Sequence, residues 1–166
     1  MPLPPGSGYR SCLEAAAALY RRDMTWREET PQAVQDDLDL LAEQALDAAQ
    51  HLLEKNGEFY PFAVELGDDG TPVMAAAEPG EGEHPSSQAV LDLLYEGAVS
   101  NRNGMRAAAF ATPVETPDGD AVRVEIEHRD GGPAIALLLP YRRKRLRKAI
   151  EFGQLAAGAG ERRIWV

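Results

Sequence analysis

The chain has 166 residues, the length of one ordinary domain, and a net charge of −10 at pH 7. An apolar fraction of 44% excludes wholesale disorder, and the longest apolar run, residues 134–141, is too short for a transmembrane segment. The single cysteine, Cys12, excludes an intrachain disulfide framework and predicts a reducing, cytoplasmic location.

The N-terminus is rich in proline and glycine, so residues 1–10 are predicted to be disordered or loosely attached. Ser11 followed by Glu14 fits a capping box, which predicts a short helix at the start of a domain that spans residues 11–166. Cys12 would lie in the first turn of this helix. We interpret it as a packed thiol rather than a nucleophile, since the sequence shows no base beside it.

The clearest helix is predicted at about residues 31–55, with Thr30 as N-cap and Pro31 in the first helical position. Its apolar residues recur at spacings of three and four, as an amphipathic helix requires: Val34, Leu38, Leu41, Ala45, Leu46, Ala49, Leu52 and Leu53. Acidic residues occupy its predicted polar side: Asp36, Asp37, Asp39, Glu43, Asp47 and Glu54. Asn56 and Gly57 are expected to end the helix.

A strand is predicted to follow in residues 58–66, then a turn at 67–70 and a return strand at 71–77. Proline cannot donate a ladder hydrogen bond, so this first strand lies at an edge or begins after Pro61. Three aromatic residues surround that proline: Phe59, Tyr60 and Phe62. They form either a surface patch for a partner or, as the favoured interpretation, an entry into the core.

A second amphipathic helix is predicted at residues 88–99, capped by Ser86 or Ser87. The loop before it places His84 beside Glu81 and Glu83. Two carboxylates and an imidazole can bind a divalent metal. Because adjacent ligands in a loop lack a preformed geometry, no metal site is predicted.

The last third is predicted to be a three-stranded meander formed by residues 105–115, 121–129 and 133–141. The middle strand has one polar face, formed by Arg123, Glu125 and Glu127, and the third is apolar on both faces until Pro140 ends its ladder. The fold class is therefore α+β. A mostly antiparallel sheet of about five strands is expected, made of a two-strand hairpin, a helix and the meander, with helices packed on it.

No catalytic residue and no cofactor are predicted, and the interpretation leans against an enzyme. His51 lies on the polar side of the long helix. His128, near a strand end, is expected to be a hydrogen-bonded histidine at the rim rather than a general base.

Positive charge is concentrated in a basic C-terminal segment, residues 142–166, with eight basic and two acidic residues, a net of +6. The preceding 141 residues have a net of −16, from nine basic and 25 acidic residues. Six cations occupy seven consecutive positions: Arg142, Arg143, Lys144, Arg145, Arg147 and Lys148. The local structure of residues 142–157 is left open between helix and strand, and Trp165 is expected to pack against the body of the domain.

The favoured interpretation is that these cations neutralise carboxylates of the protein itself, such as those of the 31–55 helix, or of a second subunit. A polyanion site, for nucleic acid or anionic lipid, is the alternative. Nucleic acid is disfavoured because the acidic remainder of the chain repels phosphates, and only Tyr141 and Phe152 flank the run for base stacking.

Arginine supplies fourteen of the 17 basic residues, which is typical of a GC-rich bacterial genome. The sequence therefore predicts a small acidic cytoplasmic bacterial protein that binds a protein partner or forms a homo-oligomer, without enzymatic activity. The first alternative is polyanion binding through residues 142–148. The second is a small-ligand sensor or enzyme with a pocket between sheet and helices.

Overall fold

A computed structural model describes residues 25–77, 84–146 and 149–166. Its elements in chain order are α1 (Thr25–Glu29), α2 (Gln32–Asn56), β1 (Phe62–Gly67), β2 (Pro72–Ala76), α3 (Ser87–Asn101), β3 (Met105–Thr116), β4 (Gly119–His128), β5 (Ile135–Arg143), β6 (Ile150–Phe152) and β7 (Ala156–Ala159). The predicted N-terminal region and helix, with Cys12, lie outside the described residues. No helix in the described ranges is both long enough and apolar enough to cross a membrane.

The sheet is antiparallel throughout, in the order β2-β1-β3-β4-β5, with β6 and β7 both paired to the outer side of β5. The α+β class and the hairpin–helix–meander order are confirmed. The expected number of strands is wrong, because the described residues form seven rather than five. Residues 150–152 and 156–159 become strands because they satisfy the backbone groups that β5 would otherwise expose at a sheet edge.

One face of the sheet is covered by α2. Its buried apolar stripe packs on inward-facing residues of β1, β3, β4 and β5. The strand at the centre of this face, β3, presents only small side chains there: Ala107, Ala109 and Ala111. Since close packing leaves no voids, these alanines let the helix axis approach the sheet closely.

The opposite face is covered by α3 and by the last residues of the chain. Tyr95 of α3 stacks on Phe110 of β3, with ring centroids 3.9 Å apart and an angle of 18° between the rings. Ile164 is fully buried against this cluster, and Trp165 packs beside it, which confirms the expectation for the terminal indole. The fold therefore has three layers, with the sheet in the middle.

The two long helices, α2 and α3, begin in different ways. Ser86 caps α3 by accepting a hydrogen bond from the Ala89 N–H at 3.1 Å, as one of the two predicted caps. The predicted Thr30 cap of α2 is wrong. The Thr30 hydroxyl donates instead to the Trp26 carbonyl at 2.6 Å, closing α1, and Pro31 occupies the N-cap position without a side-chain hydrogen bond.

Two prolines set strand boundaries. β1 begins directly after Pro61 and lies inside the sheet, which is the second of the two placements that the sequence allowed. The ladder between β4 and β5 ends at Pro140, as predicted, where it pairs with Ala121. β5 nevertheless continues to Arg143, because β6 pairs with its last three residues from the other side.

Candidate functional site

The basic run forms a hairpin at one end of the sheet. Its arms are the end of β5 and β6, with Arg142 opposite Glu151, and the turn is closed by a hydrogen bond from the Lys144 N–H to the Ala149 carbonyl at 2.9 Å. We call the described residues of this segment, 141–146 and 149–152, the basic hairpin, and Lys144, Arg145 and Leu146 its tip. The predicted site residues Arg147 and Lys148 lie outside the described residues.

The hairpin neutralises only part of its own charge. The Arg142 guanidinium lies 2.8 Å from the Glu151 carboxylate, and the Lys144 ammonium lies 3.7 Å from the same group. The hydrogen bond from Arg142, with Lys144 nearby, holds the pKa of Glu151 below its ordinary value. Arg145 makes no ion pair with any carboxylate in the described part of the chain.

An apolar side chain stands among these cations. Leu146 is 97% exposed, directly after Lys144 and Arg145. A single exposed leucine is ordinary on a protein surface, but here it projects from a turn with cations beside it. The tip therefore presents positive charge and hydrocarbon side by side to the solvent.

The base of the hairpin is attached to the end of α2. The Arg143 guanidinium donates to the Gly57 carbonyl. Gly57 ends the helix in the left-handed conformation, with φ of 76°, and its N–H donates to the Leu53 carbonyl at 2.8 Å. The cation thus lies at the negative end of the helix dipole.

The expectation that the basic run would lie on carboxylates of the long helix stays a prediction, since Arg147 and Lys148 are outside the described residues. Within the described residues, no side-chain carboxylate of α2 forms an ion pair with the hairpin. Arg143 meets a backbone carbonyl at the end of the helix instead, because the hairpin passes the helix end rather than running along its side.

The two candidate patches that the sequence suggested meet at Arg143. It lines a groove of about 630 Å³ with the cations Lys144 and Arg145 and with Glu54, the last carboxylate of α2. It also lines an adjoining groove of about 680 Å³ with Tyr60. The second groove is also lined by aromatic, aliphatic and acidic residues: Phe59, Val114, Tyr141, Glu58, Glu115 and Asp120. Burial raises the pKa of the Tyr141 hydroxyl, and the negative charge of Asp120 raises it further.

The aromatic cluster divides between core and surface. Phe62 is buried beneath α2, and Phe59 packs on it at 5.8 Å between ring centroids. Tyr60 alone of the three is exposed, at 52%. Phe59 and Phe62 therefore fit the favoured interpretation of an entry into the core, and Tyr60 fits the interpretation of a surface patch.

A buried polar network holds α2 to the sheet, and the sequence did not reveal it. The Asp37 carboxylate accepts from the Arg106 guanidinium at 2.8 Å and lies 2.9 Å from His128 Nε2. His128 Nδ1 accepts from the Asp130 N–H at 3.0 Å, so Nε2 carries the proton that is donated to Asp37. His128 is 2% exposed, hence buried rather than at the rim, and neither ring nitrogen is free to act as a base.

A second buried network holds the C-terminal residues. Glu127, 3% exposed, accepts backbone N–H groups of Arg163, Ile164 and Trp165 at 2.9 to 3.2 Å. Glu125, two residues earlier on the same face of β4, accepts a hydrogen bond from the Tyr95 hydroxyl at 3.2 Å. Burial and the neighbouring Glu125 charge raise the pKa of Tyr95 well above its ordinary value.

The remaining histidines are exposed: His51 on α2, as predicted, and His84 before α3. Among the residues that the structure describes, no three histidine, cysteine or acidic side chains are grouped so as to hold a metal ion. Glu81 and Glu83 of the predicted loop are outside those residues. The basic hairpin is thus the candidate site with the strongest support from geometry. The chain matches no protein-family model, no curated protein and no solved structure.

Proposed function

We propose that this chain is a non-enzymatic protein-binding domain of the bacterial cytoplasm, which binds an acidic segment of a protein partner through the basic hairpin. The observation that carries the proposal is the exposure of a cation and a leucine at the hairpin tip. Arg145 has no carboxylate partner within the described residues, and Leu146 beside it is almost wholly exposed. A partner that brings a carboxylate and an apolar side chain would satisfy both.

The chemistry of the tip favours protein carboxylates over phosphates. The two aromatic residues that flank the basic run, Tyr141 and Phe152, pack on each other at 6.4 Å between ring centroids. Tyr141 is buried in this contact, so it is not presented for base stacking. The net charge of −10 also repels a nucleic acid as it approaches.

The surroundings of the candidate groups favour binding over catalysis. No histidine lines either groove beside Arg143. The buried histidine, His128, uses one ring nitrogen for Asp37 and the other for the Asp130 N–H. A general base needs a nitrogen within reach of a substrate, and this ring offers none.

Binding can be tested with three probes. Fluorescence anisotropy follows two labelled probes, a glutamate-rich peptide that contains one leucine and a single-stranded DNA, and light scattering follows vesicles of anionic lipid. We expect the peptide to bind more tightly than the other two probes and to dissociate as salt rises. Arg145→Glu should weaken peptide binding about tenfold, since a charge pair is replaced by repulsion.

Arg102→Glu is the control, because it makes the same change in charge on the exposed turn after α3, away from the hairpin, and removes one long hydrogen bond, to the Ile164 carbonyl at 3.5 Å. It should leave peptide affinity within about twofold of the wild type. Tighter binding to DNA or to vesicles, lost in Arg145→Glu, would replace this proposal with the polyanion alternative. Absence of peptide binding at low salt would overturn it.

A further inference from the structure

The outward side of α2 carries an acidic stripe that has no cation partner in the described structure. Its members are Asp36, Glu43, Asp47 and Glu54. At 100° per residue they fall within about 20° of a single line along the helix, and they extend over about 27 Å. All four side chains are exposed, and none forms an ion pair with a described residue.

The other acidic residues of the helix are partnered, so this stripe is distinct. Asp37 is buried against Arg106 and His128, and Asp39 lies 3.1 Å from the Arg27 guanidinium. Desolvation raises the pKa of Asp47 above its ordinary value, and a cation brought beside it would favour the charged form.

The stripe also contains an apolar position. Leu40 is half-buried and lies four residues after Asp36 and three before Glu43, which places it between them on the helix surface. The stripe thus has carboxylates on either side of a leucine, whereas the hairpin tip has cations directly before Leu146. The two surfaces are complementary in charge and both contain hydrocarbon.

We infer that the acidic segment bound by the basic hairpin is the α2 stripe of a second copy of this chain. This inference rests on the proposed function. Arg143 fixes the hairpin at the C-terminal end of α2, where Glu54, the last residue of the stripe, lines one groove with Lys144 and Arg145 without an ion pair to them. The rest of the stripe, Asp36, Glu43 and Asp47, lies about 10 to 27 Å further along the helix and does not line that groove. A neighbouring molecule can bring the tip to these three carboxylates, which the described hairpin of the same chain does not meet.

The overall negative charge does not prevent this contact. Interactions between exposed charges are screened beyond about 8 Å at physiological ionic strength, so the attraction at the contact outweighs the repulsion of distant carboxylates. Tip and stripe are different surfaces, and a two-fold pair of molecules makes the contact twice.

The test uses the full chain in sedimentation equilibrium and light scattering. The wild type should self-associate at physiological salt and dissociate at 1 M salt. One variant reverses the tip, Lys144→Glu with Arg145→Glu, and the other reverses the stripe, Glu43→Lys with Asp47→Lys. Each alone should weaken self-association at least about tenfold, because attraction becomes repulsion.

Mixing the two variants is the decisive measurement. The native tip of one meets the native stripe of the other, and the reversed tip meets the reversed stripe, so the mixed pair should form when neither variant pairs with itself. All four changes in one chain should likewise restore self-association. Circular dichroism checks that each variant is folded, as expected for exposed positions.

The outcomes separate this inference from the proposed function. A wild type that stays monomeric but binds the glutamate-rich peptide overturns the inference and leaves the proposed function standing. Self-association that is unchanged by stripe reversal also overturns the inference, and would direct attention to β2, whose outer edge is unpaired among the described residues and carries exposed Val73 and Met74. Failure to bind the peptide as well would overturn both.

Discussion

The two arginine clusters of the basic C-terminal segment are used in opposite ways. Arg162 donates to the carbonyls of His128 and Gly132 at 3.2 and 2.7 Å, and the Arg163 guanidinium lies 4.8 Å from the centre of the Tyr95 ring. In the basic hairpin, Arg143 donates to the Gly57 carbonyl, Arg142 pairs with Glu151 of the hairpin itself, and Arg145 is exposed. One cluster holds the chain to its own sheet, and the other ends in a turn where Arg145 has no carboxylate partner among the described residues.

The difference teaches that charge density alone does not decide what a basic segment does. Residues 162–165 cross a sheet face that offers backbone carbonyls and the buried Glu127 carboxylate, so their polar groups are satisfied inside the fold. The hairpin extends past the end of α2, where Arg143 donates to the carbonyl of Gly57, the residue directly after the helix. Position relative to the sheet separates the two roles.

The largest expected effect on stability is at the C-terminal residues that the fold binds internally. Glu127→Ala should lower the free energy of unfolding by about 3 kcal/mol, since it leaves three backbone N–H groups, those of Arg163, Ile164 and Trp165, without an acceptor. Urea unfolding measures this change, and a red shift of tryptophan emission should report release of Trp165. Glu115→Ala, at an exposed position of β3, is the control. A loss below about 1 kcal/mol would show that the carboxylate does not hold this segment.

A smaller effect is expected where α2 joins the sheet. Asp37→Ala should cost about 2 kcal/mol, because it leaves the buried His128 N–H and the half-buried Arg106 guanidinium without their shared carboxylate. Asp36→Ala is the matched control, one residue earlier on the exposed side of the same helix, and thermal unfolding compares the two. Equal losses would contradict the assignment of Asp37 to the buried network.

The smallest effect is expected in the hairpin. Glu151→Gln removes the partner of Arg142 and Lys144 at an exposed site, where ion pairs contribute little, so stability near neutral pH should remain close to that of the wild type. The folded pKa of Glu151 is lowered, so its small contribution is present above the unfolded pKa and disappears as pH falls through the folded value. Below that pH the two proteins should unfold at the same temperature. A large loss at neutral pH would mean that the hairpin belongs to the stable core.

The helices and long strands could be predicted because their patterns are strong. α2 was placed within one residue at either end by an apolar repeat and by Gly57, and the β3–β4 hairpin by the turn before Gly119. The sequence left β6 open between helix and strand and did not predict β7, since three residues and an Ala-Ala-Gly-Ala run have weak strand propensity. Pairing with the open side of β5 makes them strands, and that is a tertiary effect.

The candidate site was predicted in part. The basic run was recognised as compact, and the structure gathers its described members in one hairpin. The buried acids were missed, because Glu127 alternates with apolar residues as a solvent-facing strand residue does, and no local signal shows which distant N–H groups will cover it. Asp37 did carry a signal: it lies three residues after Val34 and four before Leu41, on the apolar stripe of α2.

The hydrogen bond from Arg143 to the Gly57 carbonyl fixes the base of the hairpin at the end of α2. A turn that extends freely loses conformational entropy when a partner fixes it, and that loss weakens binding. Here the base of the turn is already tied to a 25-residue helix that is packed across one whole face of the sheet. If the tip binds a partner as proposed, the base of the hairpin loses little further freedom, so the entropic cost of binding is smaller than for a free turn.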